Sequence, residues 1–217
     1  GTETFAYVVV NKADNQYIKI NNSPATTVTL SGNPSVGAYS GSNTGEGNVL
    51  EMNSGGLDLN GQTFNLGGNR GFLHVTGGLR NIISTTPANF YFNGYKEITT
   101  TPANAGILEY DDQVIVHLGG GVNFGRNSTT LVNLTTINAI LQINANGFAD
   151  IFAPYFGPIG KLVYNNGGQY MRRVEWRGEE GQPGYPNDVI VQNNSTLIAG
   201  GPNGGENVNN PLSTRRD

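Results

Sequence analysis

Apolar and polar residues alternate with a period of two along most of the chain. Phe5 to Val10, Tyr17–Ile20 and Val28–Leu30 open the series. Leu57 and Leu59 then point one way while Asp58 and Asn60 point the other. Phe64/Leu66, Leu73/Val75 around His74, Ile82/Ile83, Phe90/Phe92, Ile98, Ile107/Tyr110, Val114/Val116/Leu118, Val122/Phe124, Leu131/Leu134 and Leu141/Ile143 carry it on to Phe148. Such alternation marks half-buried β-strands. Asp14–Asn15, Gly61–Gln62, Gly67–Gly68 and Gly77–Gly78 supply the turns between them.

The strands recur at a fixed spacing. Leu57 to Ile82 and Ile82 to Ile107 are each 25 residues, and Ile107 to Leu131 is 24. A second series runs Phe64, Phe90, Val114, Leu141, and a third Leu73, Ile98, Val122. A unit this short cannot bury its apolar face alone, so neighbouring units must stack. The spacing predicts an all-β fold, a right-handed parallel β-helix (β-solenoid) with about three strands per ~25-residue rung. A β-sandwich is the alternative, because its strands also recur every ~8–12 residues.

The pattern divides the chain. Residues 1–48 read as N-terminal strands followed by a Gly/Ser/Asn-rich loop, a candidate cap. Residues 49–149 read as regular rungs. Residues 150–199 form an irregular insert with Pro154, Pro158, Pro183, Pro186 and the only Trp, followed by final strands at Val189–Val191 and Leu197–Ala199. Residues 200–217 are polar and read as a flexible tail or a truncated rung.

Composition sharpens this reading. Only 13% of the 217 residues are charged, against ~25% in ordinary soluble proteins. Gly (32 residues) and Asn replace them, and both tolerate the left-handed backbone that frequent turning requires. The net charge of −4 and the lack of a basic stripe argue against nucleic acid as a partner. No run approaches the ~20 apolar residues of a membrane span, so membrane insertion is not expected. With no cysteine there is no disulfide scaffold, Cys-ligated metal or Cys nucleophile. The chain starts at Gly1 without a signal peptide and reads as a mature or excised piece of a longer protein.

Two phrases carry a family resemblance. VLEMNSGGLDLNGQTFNLGG (residues 49–68), centred on Leu57-Asp58-Leu59-Asn60-Gly61, resembles a recurring phrase of large Bacteroidetes surface proteins exported by type IX secretion. KLVYNNGGQYMRRVEW (residues 161–176) and GYPNDVIVQNNSTL (residues 184–197) resemble another, with Arg172 or Arg173, Glu175, Trp176, Tyr185 and Pro186 in its places. The resemblance implies a β-solenoid segment of a long cell-surface or secreted protein, without catalytic residues to carry over. It also implies partners: neighbouring domains of a longer chain, surface glycans or other cell-surface proteins, and the outer-membrane secretion machinery.

Candidate chemistry is sparse. Asp111–Asp112 before Val114 resembles the paired-Asp strand motif of polygalacturonase-type β-helix glycosidases, which makes these two the catalytic candidates if the protein is an enzyme. The rest of that motif set is missing, and a tight turn accounts for the pair more simply. Trp176 with Tyr164, Tyr170 and Tyr185 suggests a sugar platform or the closure of the core, with Trp176 inward beside Val174. Arg173 and Glu175 complete the ligand-binding candidates. If both face outward from one strand they form a surface ion pair. No cofactor is required by the sequence; outward Asp58 and Asn60 are the weak oxygen-ligand candidates for Ca²⁺. His74 and His117, the only histidines, lie 43 residues apart and out of step with the rungs, so a shared metal site is not expected. The expectation is therefore a non-catalytic structural or adhesive module, with a carbohydrate-active enzyme or a glycan-binding module as alternatives.

Overall fold

The computed structural model describes residues 1–21, 25–32, 47–101, 103–126, 135–177 and 179–198. Leu131, Leu134, Ala199, most of the 31–48 loop and the 200–217 tail lie outside them. The described chain is a parallel β-solenoid with three strands per rung and no α-helix. The first face is one continuous eight-stranded sheet. Its order is β1 (Thr2–Phe5), β4 (Thr27–Leu30), β7 (Thr63–Leu66), β10 (Ala88–Phe92), β13 (Val114–Leu118), β16 (Ile140–Ile143), β19 (Lys161–Tyr164) and β21 (Asp188–Val191). The second face stacks β2 (Val8–Asn11), β5 (Asn48–Ser54), β8 (Arg70–Val75), β11 (Tyr95–Thr100), β14 (Gly121–Arg126) and β17 (Phe148–Ala149). The third stacks β3 (Tyr17–Lys19), β6 (Gly56–Asp58), β9 (Gly78–Ile83), β12 (Gly106–Tyr110), β15 (Thr135–Ile137) and β18 (Tyr155–Phe156). A last parallel pair, β20 (Gln169–Met171) with β22 (Thr196–Ile198), stands apart from all three. Among the described residues no helix is long and apolar enough to cross a membrane.

The core is a set of columns parallel to the axis. Val28, Phe64, Phe90, Val116, Leu141, Leu162 and Val189 pair in succession up the first face. From Phe64 onward the intervals in this column are 26, 26, 25, 21 and 27 residues. Aromatic rings reinforce the middle rungs. Phe64 stacks on Phe90 at 5.5 Å, and Tyr110 meets Phe90 edge-on at 5.2 Å. Offset and edge-on pairs of this kind add to the burial of the rings themselves.

The register differs in places from the sequence expectation. Leu57 opposite Ile82 and Leu73 opposite Ile98 are found as expected. Phe90, however, pairs with Val116, not Val114, and Ile82 pairs with Tyr110, not Ile107. The repeat is one residue longer than 25 here, and a shift in register decides which face a side chain occupies. Val114 and Val116 are two apart, so both stay buried. Ile107 and Tyr110 are three apart, so Ile107 turns outward beside Leu79 and is 48% exposed. Val122 pairs with Lys96 because a bulge in β11 falls before Thr99.

The boundaries differ too. β1, β2 and β3 form a full rung, so stacking begins at Thr2 rather than at residue 49. Within 150–199, β18, β19 and β21 continue the ladders. The true interruption is the excursion between Met171 and Asp188, which contains one 3₁₀ turn, Val174–Trp176.

Asn serves the turns as the composition implies. Asn15, Asn60, Asn146, Asn193 and Asn194 all have positive φ. At Leu59–Gln62 both central residues are left-handed, Asn60 at φ 51° and Gly61 at φ 75°, and Gln62 N–H donates to Leu59 O at 2.8 Å, which is a type I′ turn. The corners between faces leave carbonyls outside the ladders, and buried cations cover them. Lys96 occupies an inward position opposite Gly71 and Val122, is 0% exposed, and its Nζ donates to Gly68 O and Asn93 O. Buried Arg80 donates to the carbonyls of Asn53, Thr76, Gly77 and Leu79. Such charge-assisted bonds satisfy groups whose burial without a partner costs roughly 1–3 kcal/mol each.

Candidate functional site

The carboxylate pair at Asp111–Asp112 closes a turn. Val114 N–H donates to Asp111 O at 3.1 Å, and Asp112 N–H donates to the Asp111 carboxylate at 2.8 Å. The turn is the corner between the third and first faces, so the two side chains diverge. Asp111 borders a small hollow with Asn81, Ile83 and Glu109. Asp112 borders a different groove on the first face, with Ile115, Ile140, Lys161 and Asp188. In that groove Lys161 Nζ lies 3.7 Å from Asp188. Ile115, Ile140, Lys161 and Asp188 are successive rungs of one ladder. Three steps of ~4.8 Å therefore put Asp112 and Asp188 about 14 Å apart along the axis. Inverting hydrolysis needs its two carboxyls ~6.5–9.5 Å apart.

The Ca²⁺ candidates serve the fold. Asp58 is buried, lies 3.5 Å from Lys19 Nζ and accepts the Asn60 N–H at 2.8 Å. Asn60 donates its amide to Ile20 O. Among the described residues no group of three or more His, Cys, Asp or Glu side chains is placed to hold a metal ion. His74 and His117 stand on different faces. His74 bonds to Thr99 and Thr101. His117 stacks on Tyr91 at 4.2 Å and bonds to Asn89 at 2.9 Å. Burial pushes the His117 ring down to a pKa of about 4, so it is neutral at pH 7.

The irregular element holds the most distinctive geometry, and it corrects the sequence reading of Glu175. Glu175 lies in the 3₁₀ turn, not on a strand, and is 0% exposed. The Tyr164 hydroxyl donates to its Oε1 at 3.2 Å and Arg173 N–H donates to the same oxygen at 2.9 Å. The Tyr170 hydroxyl lies beside the carboxylate but forms no well-aligned bond, and Oε2 has no partner. Burial raises the Glu175 pKa and outweighs the Arg173 N–H, which lowers it. The expected surface ion pair with Arg172 or Arg173 is thus absent, because the turn directs the acid into the core. Arg172 is itself buried and donates to Trp176 O. Trp176 packs half-buried against the core beside Val174, and Tyr185 is buried. Neither lines a cleft.

Tyr170 and Arg173 do. In rung order β20 is the next strand of the second face after β17, and each begins five residues after the end of its first-face strand. Yet β20 pairs only with β22. Glycines at the equivalent corner show the gap. A side chain on Gly147 would meet Leu118 O at 1.9 Å in the rung below, whereas one on Gly168 would meet nothing within 4 Å. The resulting cleft has a volume of ≈ 680 Å³ and is bordered by residues 145–148 and by Asn166, Gly168–Met171 and Arg173. This lies within the ~300–1,000 Å³ typical of ligand pockets. Arg173 lays its guanidinium over the Phe148 ring at 4.0 Å, and this stack occupies the rim of the gap. Phe148, Asn146, Asn166 and Gln169 carried no signal in the sequence, since the break in one ladder is visible only once the rungs are aligned.

Comparison with protein-family models, with curated proteins and with solved structures finds no match to this chain.

Proposed function

We propose that the chain is a non-catalytic structural or adhesive segment of a bacterial surface or secreted protein. The observation that carries this is the parting of Asp111 and Asp112 onto different faces. It leaves the best-placed acids of the chain unable to work as a hydrolytic pair. The continuous eight-stranded ladder of the first face supports the structural half of the reading, because its hydrogen bonds run along the axis and would bear tension together. The first rung supports a neighbouring domain as partner. Phe5 heads the inward column above Leu30 and is 48% exposed, an apolar surface that a further rung would cover. The surface location, type IX export and a Bacteroidetes origin rest on the two phrases at residues 49–68 and 161–197.

The rival reading is a carbohydrate-active enzyme working in the Asp112 groove. Incubation with polygalacturonate and other acidic glycans, followed by assay of new reducing ends, separates the two. No release is expected. Release abolished by Asp112→Asn would overturn the proposal.

A further inference from the structure

We propose that the cleft between β17 and β20 binds a carboxylate-bearing sugar, a uronate, with Arg173 receiving the carboxylate. This deepens the adhesive reading above and rests on it.

Three observations carry the inference. First, the Arg173 guanidinium makes no hydrogen bond and no ion pair with any described residue; its one side-chain contact is the Phe148 ring. A half-buried guanidinium fixed by stacking, with its fork of N–H donors unused, is pre-organised for bidentate binding of a carboxylate. Second, Asn166 borders the cleft with its Oδ1 buried and unpartnered, while its amide nitrogen is spent on Gly168 O and Gln169 O. A buried acceptor without a donor is unfavourable, and a ligand hydroxyl would satisfy it. Third, the walls are mixed. Asn146 and Gln169 offer amides, and Tyr170 offers apolar surface for the C–H face of a sugar. Carboxylate, hydroxyls and an apolar face occur together in a uronate. An acidic peptide supplies the carboxylate without the hydroxyls, so it leaves Asn166 unsatisfied.

Charge also favours an anion here. Glu175 lies behind Tyr170, wholly buried and biased toward its neutral form, so it does not neutralise Arg173.

The test is a titration of the isotope-labelled chain, followed by NMR, with a galacturonate trimer, a neutral galactose trimer and a triglutamate peptide. Saturable shifts confined to the cleft are expected with the uronate alone, weakening as salt is raised. Arg173→Gln should weaken binding by about tenfold or more, the loss of one charge-assisted bidentate contact. Lys12→Gln, which removes the same charge in the first rung, should leave binding unchanged. Arg173→Lys keeps the charge without the fork and should bind between Arg173→Gln and the parent. It remains informative if Arg173→Gln does not fold. The proposal is overturned if the uronate gives no saturable shift, if the neutral sugar or the peptide binds as tightly, or if the Arg173 variants bind as the parent does. New reducing ends in the same sample would instead fail the non-catalytic reading, so the two failures are told apart.

Discussion

Asp111 and Asp112 are neighbours in the chain but belong to different surfaces of the solenoid. The corner turn sends Asp111 toward Asn81 and Glu109 on one face and Asp112 toward Ile115 and Lys161 on another. Their role in the fold is unequal as well, because only the Asp111 carboxylate accepts a backbone N–H within the turn. Asp111→Ala is expected to cost about 0.5–1 kcal/mol, as loss of a local side-chain-to-backbone bond does. Asp112→Asn should stay within about 0.5 kcal/mol of the parent, as for an exposed position. Urea midpoints of the two variants check this, and a larger loss for Asp112→Asn would contradict the assignment.

Ile107 and Leu108 test the register. Ile107 is half exposed, whereas Leu108 is 0% exposed in the core. Ile107→Ser should change stability by no more than about 0.5 kcal/mol, and Leu108→Ala should cost about 2–5 kcal/mol. The reverse order in thermal or urea unfolding would restore the simple 25-residue repeat.

Arg80 separates carbonyl capping from ion pairing. Its only carboxylate partner among the described residues is Asp14, whose side chain is 79% exposed. Exposed pairs contribute little, so Asp14→Asn should be nearly neutral. Arg80→Met leaves the corner carbonyls of Asn53, Thr76 and Gly77 without this donor and should cost about 3 kcal/mol. Equal losses in the two variants would mean that the ion pair, and not the carbonyl set, holds the corner.

Two buried groups shape the pH dependence in opposite senses. His117 has its folded pKa depressed to about 4, below its ordinary value of 6.5. Its contribution is complete above about 6.5 and is lost as pH falls through about 4. Glu175 has its folded pKa raised above its ordinary value of 4.5, so its contribution is complete below 4.5 and is lost as pH rises through the raised value. Melting temperatures against pH should therefore show His117→Gln flattening the acid limb. Glu175→Gln should unfold at a higher temperature than the parent at pH 8 and near the same temperature at pH 4. A lower melting temperature for Glu175→Gln at pH 8 would show that the ionised carboxylate is the stabilising form.

The period-two alternation and the recurring interval of about 25 residues were enough to identify a three-stranded solenoid. They sufficed because stacking is a local rule. Each rung buries its apolar positions against the next, so columns such as Phe64–Phe90 are written in the sequence as spacing. The Asn-rich composition foretold the left-handed turns for a similarly local reason, since αL tolerance belongs to the residue itself.

What the sequence could not determine depends on the third dimension. A repeat that varies from 21 to 27 residues turns Ile107 outward, and only the hydrogen-bonded ladder reveals the shift. Lys96 reads as a surface charge until the corner carbonyls gather around its Nζ. Glu175 reads as half of a surface ion pair until the 3₁₀ turn carries it beneath Tyr164. The cleft itself is a missing pairing between β17 and β20, two strands that are far apart in sequence. Alternation and spacing are properties of single rungs and were legible in one dimension. The fate of a buried charge, and of an unmade strand contact, is set by neighbours that only the folded chain brings together.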